Sequence, residues 1–129
     1  MRSLLIVTAV IEGLTGLALF VMPEVAVSVI MNSSVESAGG ILISRIGGVA
    51  IIALAIGCWQ ARNSQNSGII TAMLFYNVAV AAVLIFGGSK LGLTDTFIWP
   101  TIVLHGVMEV WCVVSVRGPI RRRLVPNGP

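Results

Sequence analysis

Charge is scarce in this chain. Only 10% of its 129 residues are Asp, Glu, Lys or Arg, against about 25% in soluble domains. A water-soluble globular domain is therefore excluded. Cysteine is scarce too. Cys58 and Cys112 stand alone without CxxC spacing, which rules out a disulfide scaffold. The formal charge of +3 is small, and its excess gathers at one end rather than on a soluble basic face, which argues against nucleic-acid binding. There is no nucleotide- or phosphate-binding signature. No run of alternating apolar and polar residues separated by turns is present, so a β-barrel does not fit.

Apolar residues are what the chain has in abundance, at 57%. They fall into four long stretches, about 4–22, 40–60, 69–86 and 97–116. Each approaches the roughly 20 residues that cross a bilayer as a helix. Backbone groups in lipid must be satisfied internally, and helix does this at these lengths. The expected fold is all-α: an antiparallel bundle of four transmembrane helices forming a single domain over 1–129.

The joints carry their own signals. Pro23 follows the first stretch, and residues 24–32 suit a short interfacial helix. Ser33-Ser34-Val35-Glu36 fits a capping box for the second span. Arg62 to Ser67 reads as a tight polar turn, and Gly87-Gly88-Ser89-Lys90-Leu91-Gly92 as a loop. Thr94 or Asp95 suits the cap of the fourth helix. Pro100 lies in that helix's first turns, where a missing N–H does least harm.

Lys and Arg set the expected orientation. Arg2, Arg62, Arg117, Arg121, Arg122 and Arg123 fall on one side and only Lys90 on the other, which places both termini in the cytoplasm and the protein in the inner cell membrane as a multi-pass species. Trp59, Trp99 and Trp111 sit near span ends as interfacial anchors. The basic tail, 117–129, reads as a topology signal or as a contact with anionic lipid. The first span reads as retained rather than cleaved: Glu12 interrupts it, and no clear small-x-small site follows.

Against this apolar background a few polar residues stand out. Glu12, Arg45, Asn77, His105 and Glu109 all lie inside the spans. Ionisable groups in hydrocarbon are costly, so each is a candidate functional residue. Helical spacing gathers Thr8, Glu12, Thr15 and Gly16 into one stripe, and Thr101, His105, Glu109 and Cys112 into another. Such stripes are expected to face the bundle interior. Glu12 falls about 15 Å from its span's end, close to the midplane.

Charge balance favours Glu12 pairing with Arg45, and Glu109 pairing with His105. A histidine and two carboxylates give the group a means of exchanging a proton near neutral pH. The structural alternative is that these residues act as interhelical glue at about 0.6 kcal/mol each. Asn77 suits that role best. His105 and Glu109 sit one turn apart with Glu12 as a third candidate ligand, but this set is poorer than true metal sites show, so neither a metal nor any other cofactor is expected. Gly40, Ser44 and Gly48 form a small-xxx-small run in the second span, expected to permit close helix approach within the bundle.

Several of these residues form a pattern. Glu12-Gly13 before Pro23, Arg45-Ile46-Gly47-Gly48, Trp59-Gln60-Ala61-Arg62, Phe75-Tyr76-Asn77 and Trp99-Pro100 with His105 resemble uncharacterised bacterial four-helix membrane proteins, similar in size and layout to DoxX-like proteins. The resemblance covers nearly the whole chain and implies little about activity. The vitamin K epoxide reductase fold is also a four-helix membrane bundle, but its paired CxxC cysteines are missing here.

Three functions remain open. The first is a non-enzymatic membrane protein that binds a small apolar or amphipathic molecule or a lipid, or that serves as an accessory subunit of a larger complex. The second is an intramembrane enzyme working on a lipid-like substrate. In it Glu12 is the acid and His105 with Glu109 the base, while Arg45, Asn77, Thr8 and Thr101 hold the ligand. The third is a proton-coupled transporter subunit, for which four helices require a homo-oligomer.

Overall fold

The structure is a computed structural model. It describes the backbone of residues 1–64, 67–90 and 97–124, and the side chains of these except 67 and 116–124. It is all-helical: α1 spans Arg2–Val21, α2 Pro23–Met31, α3 Ala38–Ala61, α4 Ser67–Lys90 and α5 Ile98–Leu124. Four of these helices are long and apolar enough to cross a membrane; α2, at nine residues, is not one of them. Their outward surface agrees. Phe75, Ile43, Val83 and Leu14 each leave most of their surface uncovered, an apolar exposure that lipid tolerates and water does not.

The helix ends follow local chemistry. Between α1 and α2 the chain breaks at Met22 (φ −131°, ψ 61°), and Pro23 opens α2 at a position where its missing N–H has no partner to lose. Asn32 ends α2 in the left-handed region (φ 45°), a conformation asparagine tolerates better than most residues. Helix α3 is capped by Ser37, whose Oγ accepts the Gly40 N–H at 3.0 Å. The expected box at Ser33–Glu36 therefore lies just outside the helix, and the cap falls one residue beyond it.

Two further boundaries differ from expectation. Gly87, Gly88, Ser89 and Lys90 are not loop; they complete α4 as helix. Glycine is common in transmembrane helices, and Ser89 closes its hydroxyl onto the Ile85 carbonyl at 2.6 Å. Leu91 and Gly92, Thr94 and Asp95, and Gln65 and Asn66 of the polar turn lie outside the described residues. Helix α5 does not stop near Val116. Its backbone stays helical to Leu124, about two turns further, so the first part of the basic tail is helix.

The bundle is built from two intimate antiparallel pairs, α1 with α3 and α4 with α5, joined more sparsely to each other. The α1–α3 register is set by two glycines. A methyl placed on Gly16 would sit 2.7 Å from the Gly48 carbonyl oxygen, and one on Gly48 would sit 2.6 Å from the Gly16 carbonyl oxygen. The two backbones touch there, and only hydrogen at Cα permits it. Further along, Gly13 faces the Ala55 side chain. Of the small-residue run Gly40-Ser44-Gly48, it is Gly48 that makes this close approach, within the bundle as expected.

An apolar core fills the end where α1 begins. Leu4, Leu5, Ala9, Cys58, Ile70, Met73, Met108 and Cys112 pack together, with both cysteines fully buried as free thiols. Met1, Arg2, Arg62, Asn63 and Ser64 line a common pocket, so the start of α1 and the end of α3 share one face. Toward the opposite end, α2 lies across α1, α3 and α5 and buries Pro23, Ala26 and Val27.

Candidate functional site

Just beyond the apolar core, four polar residues are buried among the described ones: Thr8, Glu12, Asn77 and His105. They come from three helices, and a fifth residue, Tyr76, ties them together. The Tyr76 hydroxyl donates to Glu12 Oε2 at 2.9 Å, linking α4 to α1. The Tyr76 ring meets the His105 imidazole edge-on, with centroids 5.9 Å apart and planes at 71°. Asn77, the next residue, faces α5, and its Oδ1 lies 2.8 Å from His105 Nδ1. Successive helical residues point about 100° apart, so Tyr76 reaches Glu12 of α1 as well as the His105 ring, Asn77 turns to α5, and Phe75 faces outward.

The protonation pattern of the Asn77–His105 contact follows from its surroundings. Asn77 Nδ2 donates to the Met73 carbonyl at 2.7 Å. A carbonyl oxygen can only accept, so this bond fixes which end of the amide is NH2. Asn77 Oδ1 is then the atom facing His105, and Nδ1 must carry the proton it donates. In the neutral ring the lone pair is left on Nε2. Asn77 thus commits both ends of its carboxamide to the protein and acts on His105 by orienting it.

Thr8 lies one turn from Glu12 on the same face of α1 and is 1% exposed, yet its Oγ1 has no hydrogen-bond partner. Most buried polar side-chain atoms are satisfied, and an exception calls for a specific reason. A threonine hydroxyl in a helix can close back onto a preceding carbonyl. Thr101 does this with Phe97, at 2.8 Å. Thr8 does not.

Both ion pairs expected from charge balance are replaced by neutral partners. Arg45 is exposed, and among the described residues no lysine or arginine is buried. The hydrogen bond to Glu12 comes instead from Tyr76. His105 turns its Nδ1 to Asn77 rather than to Glu109, which is half-buried. The α1 stripe splits as well: Thr15 is half-buried and lines a groove of about 360 Å³ between α1 and α2, with Leu14, Ala18 and Met22 on its α1 side. Thr101 sits at the far end of α5 with its hydroxyl closed onto its own helix. Thr8, Glu12, Asn77 and His105 form the buried layer; Arg45, Thr101 and Glu109 stand outside it.

Tyr76 is the member that sequence reasoning passes over. It is the one tyrosine of the chain, near the middle of its span and beside Asn77. Buried tyrosine hydroxyls usually find a partner, and that is the signal that could have found it. Among the described residues no three His, Cys, Asp or Glu side chains gather closely enough to hold a metal ion.

Comparison with protein-family models, with curated proteins and with solved structures gives no match.

Proposed function

We propose that this protein binds a small amphipathic molecule within the membrane, holding its polar head at the layer formed by Thr8, Glu12, Tyr76 and His105. The observation that carries this reading is the unpartnered Thr8 hydroxyl. A sealed apolar bundle gains nothing from an unsatisfied buried hydroxyl. A site awaiting a polar ligand does. The position of the layer supports the reading too. It lies on the sparse contact between the two helix pairs, and helix bundles commonly build ligand sites between helices. Arg2 and Arg62 at one end of the bundle fit an orientation with that face toward the cytoplasm.

Native mass spectrometry of the protein released from its own membranes tests this. A small non-protein adduct is expected on the unaltered chain. It should be lost in Glu12→Gln and His105→Ala variants that keep the parent's thermal midpoint in detergent. No adduct on the unaltered chain, or variants that simply unfold, would count against a binding role and favour interhelical glue.

A second reading is favoured by the His105 geometry. The imidazole, whose Nδ1 faces Asn77, and the buried Glu12 carboxylic group both lie against Tyr76, and a histidine with a carboxylic acid is the pairing that general acid–base chemistry on a lipid-like substrate uses. Here Glu12 is the acid and His105 the base. Chemical conversion of the bound ligand by the unaltered protein separates this from binding alone, and a ligand recovered unchanged counts against it.

A further inference from the structure

Resting on the polar layer as a ligand site, we infer that the head group it takes is a protonated amine, carried on an apolar tail. The atoms left free in the layer are mostly acceptors. Tyr76 occupies Glu12 Oε2, which leaves Oε1. Asn77 occupies His105 Nδ1, which leaves the Nε2 lone pair. Thr8 Oγ1 has no partner. Of the side-chain donors, Tyr76 Oη is committed to Glu12 and one N–H of Asn77 Nδ2 to Met73. A phosphate or carboxylate head brings negative charge, and among the described residues the layer offers it no buried cation. An alkylammonium brings three N–H donors and no acceptor, as a lysine head does.

Charge points the same way. Glu12 is 6% exposed, and among the described residues no lysine or arginine is buried with it. Arg45, the partner that charge balance favours, is exposed. A buried carboxylate keeps its charge only beside a counter-charge, and an ammonium ligand supplies the one that the described residues do not. His105 and Glu12 both lie against Tyr76, and Thr8 is one turn away on the Glu12 face. The remainder of the ligand must be apolar, because the buried residues on either side of Tyr76 along α4, Ile70 and Met73 on one and Leu84 on the other, are apolar.

The test is a calorimetric titration of the full chain in nanodiscs of zwitterionic lipid, with octylamine, octanol and octanoate as probes. Octylamine is expected to bind saturably, one per chain, at least tenfold more tightly than octanol, with octanoate not binding. Glu12→Gln should erase the tenfold preference, since glutamine can still accept from Tyr76 but carries no charge. Thr8→Val should weaken octylamine several-fold without loss of fold. If octanol or octanoate binds as tightly as octylamine, or if Glu12→Gln leaves octylamine unaffected, the amine assignment is wrong while a ligand site survives. If none of the three binds saturably, the binding reading itself fails along with it. Should Glu12→Gln not fold, the ranking of the three probes on the unaltered chain still decides.

Discussion

Tyr76 of α4 donates its hydroxyl proton to Glu12 of α1 across 2.9 Å, and this bond joins the two helix pairs of the bundle. The apolar core of Leu4, Leu5, Ala9 and Cys58 with Ile70, Met73, Met108 and Cys112 also joins the pairs, and the bond adds a directional contact to it. A double-mutant cycle with Tyr76→Phe and Glu12→Leu should yield a coupling of about 0.6–1.7 kcal/mol, the range of interhelical hydrogen bonds in membranes. Reversible unfolding in mixed micelles measures it. Strictly additive effects would mean that the bond contributes nothing.

The Gly16–Gly48 contact should be intolerant of any side chain. Gly48→Leu or Gly16→Leu places a side chain where even a methyl carbon would meet backbone at 2.6–2.7 Å, and is expected to cost about 1–3 kcal/mol or more. At Gly47 and Gly106 an added methyl would meet nothing within 4 Å. Alanine there should be neutral or stabilise by up to about 1 kcal/mol through helix propensity. Thermal midpoints in detergent distinguish the two sets.

Asn77 should determine which His105 nitrogen carries the proton. In the unaltered protein, 15N chemical shifts of the imidazole are expected to report a protonated Nδ1. Asn77→Leu should release this preference and shift both resonances. An Nε2-protonated ring in the unaltered protein would overturn the assignment of the Asn77 amide.

Arg45 should be dispensable for folding. Since it is exposed and its expected partner Glu12 is held by Tyr76, Arg45→Gln should change stability by no more than about 0.5 kcal/mol. A loss as large as that of Tyr76→Phe would restore the ion pair that charge balance suggested.

These outcomes separate what the sequence carries from what only packing decides. The spans are legible because hydrophobic length is a one-dimensional property, and Pro23 and the Arg62 turn punctuate it. The Gly87-Gly88 pair misleads, since glycine punctuates soluble helices far more than transmembrane ones. Ser37 outcompetes Ser33 as the α3 cap, and nothing in a segment with serines at 33, 34 and 37 says which will meet a free N–H. In the site, Thr8, Glu12, Asn77 and His105 are legible as polar residues within the spans. Their partners are not. Pairing depends on how α1 and α4 are rotated against each other, and that rotation is fixed in part by the Gly16–Gly48 contact of α1 with α3. Charge alone favours Arg45, whereas geometry delivers Tyr76.

The most direct test is an experimental structure of the protein purified from its native membranes with lipid retained. A ligand site predicts non-protein density between α1 and the α4–α5 pair, within hydrogen-bond reach of Thr8 Oγ1 and bordered by Glu12, Tyr76 and His105. A dry seam, with the Thr8 hydroxyl closed onto a carbonyl of its own helix and no density beside Glu12, would contradict it.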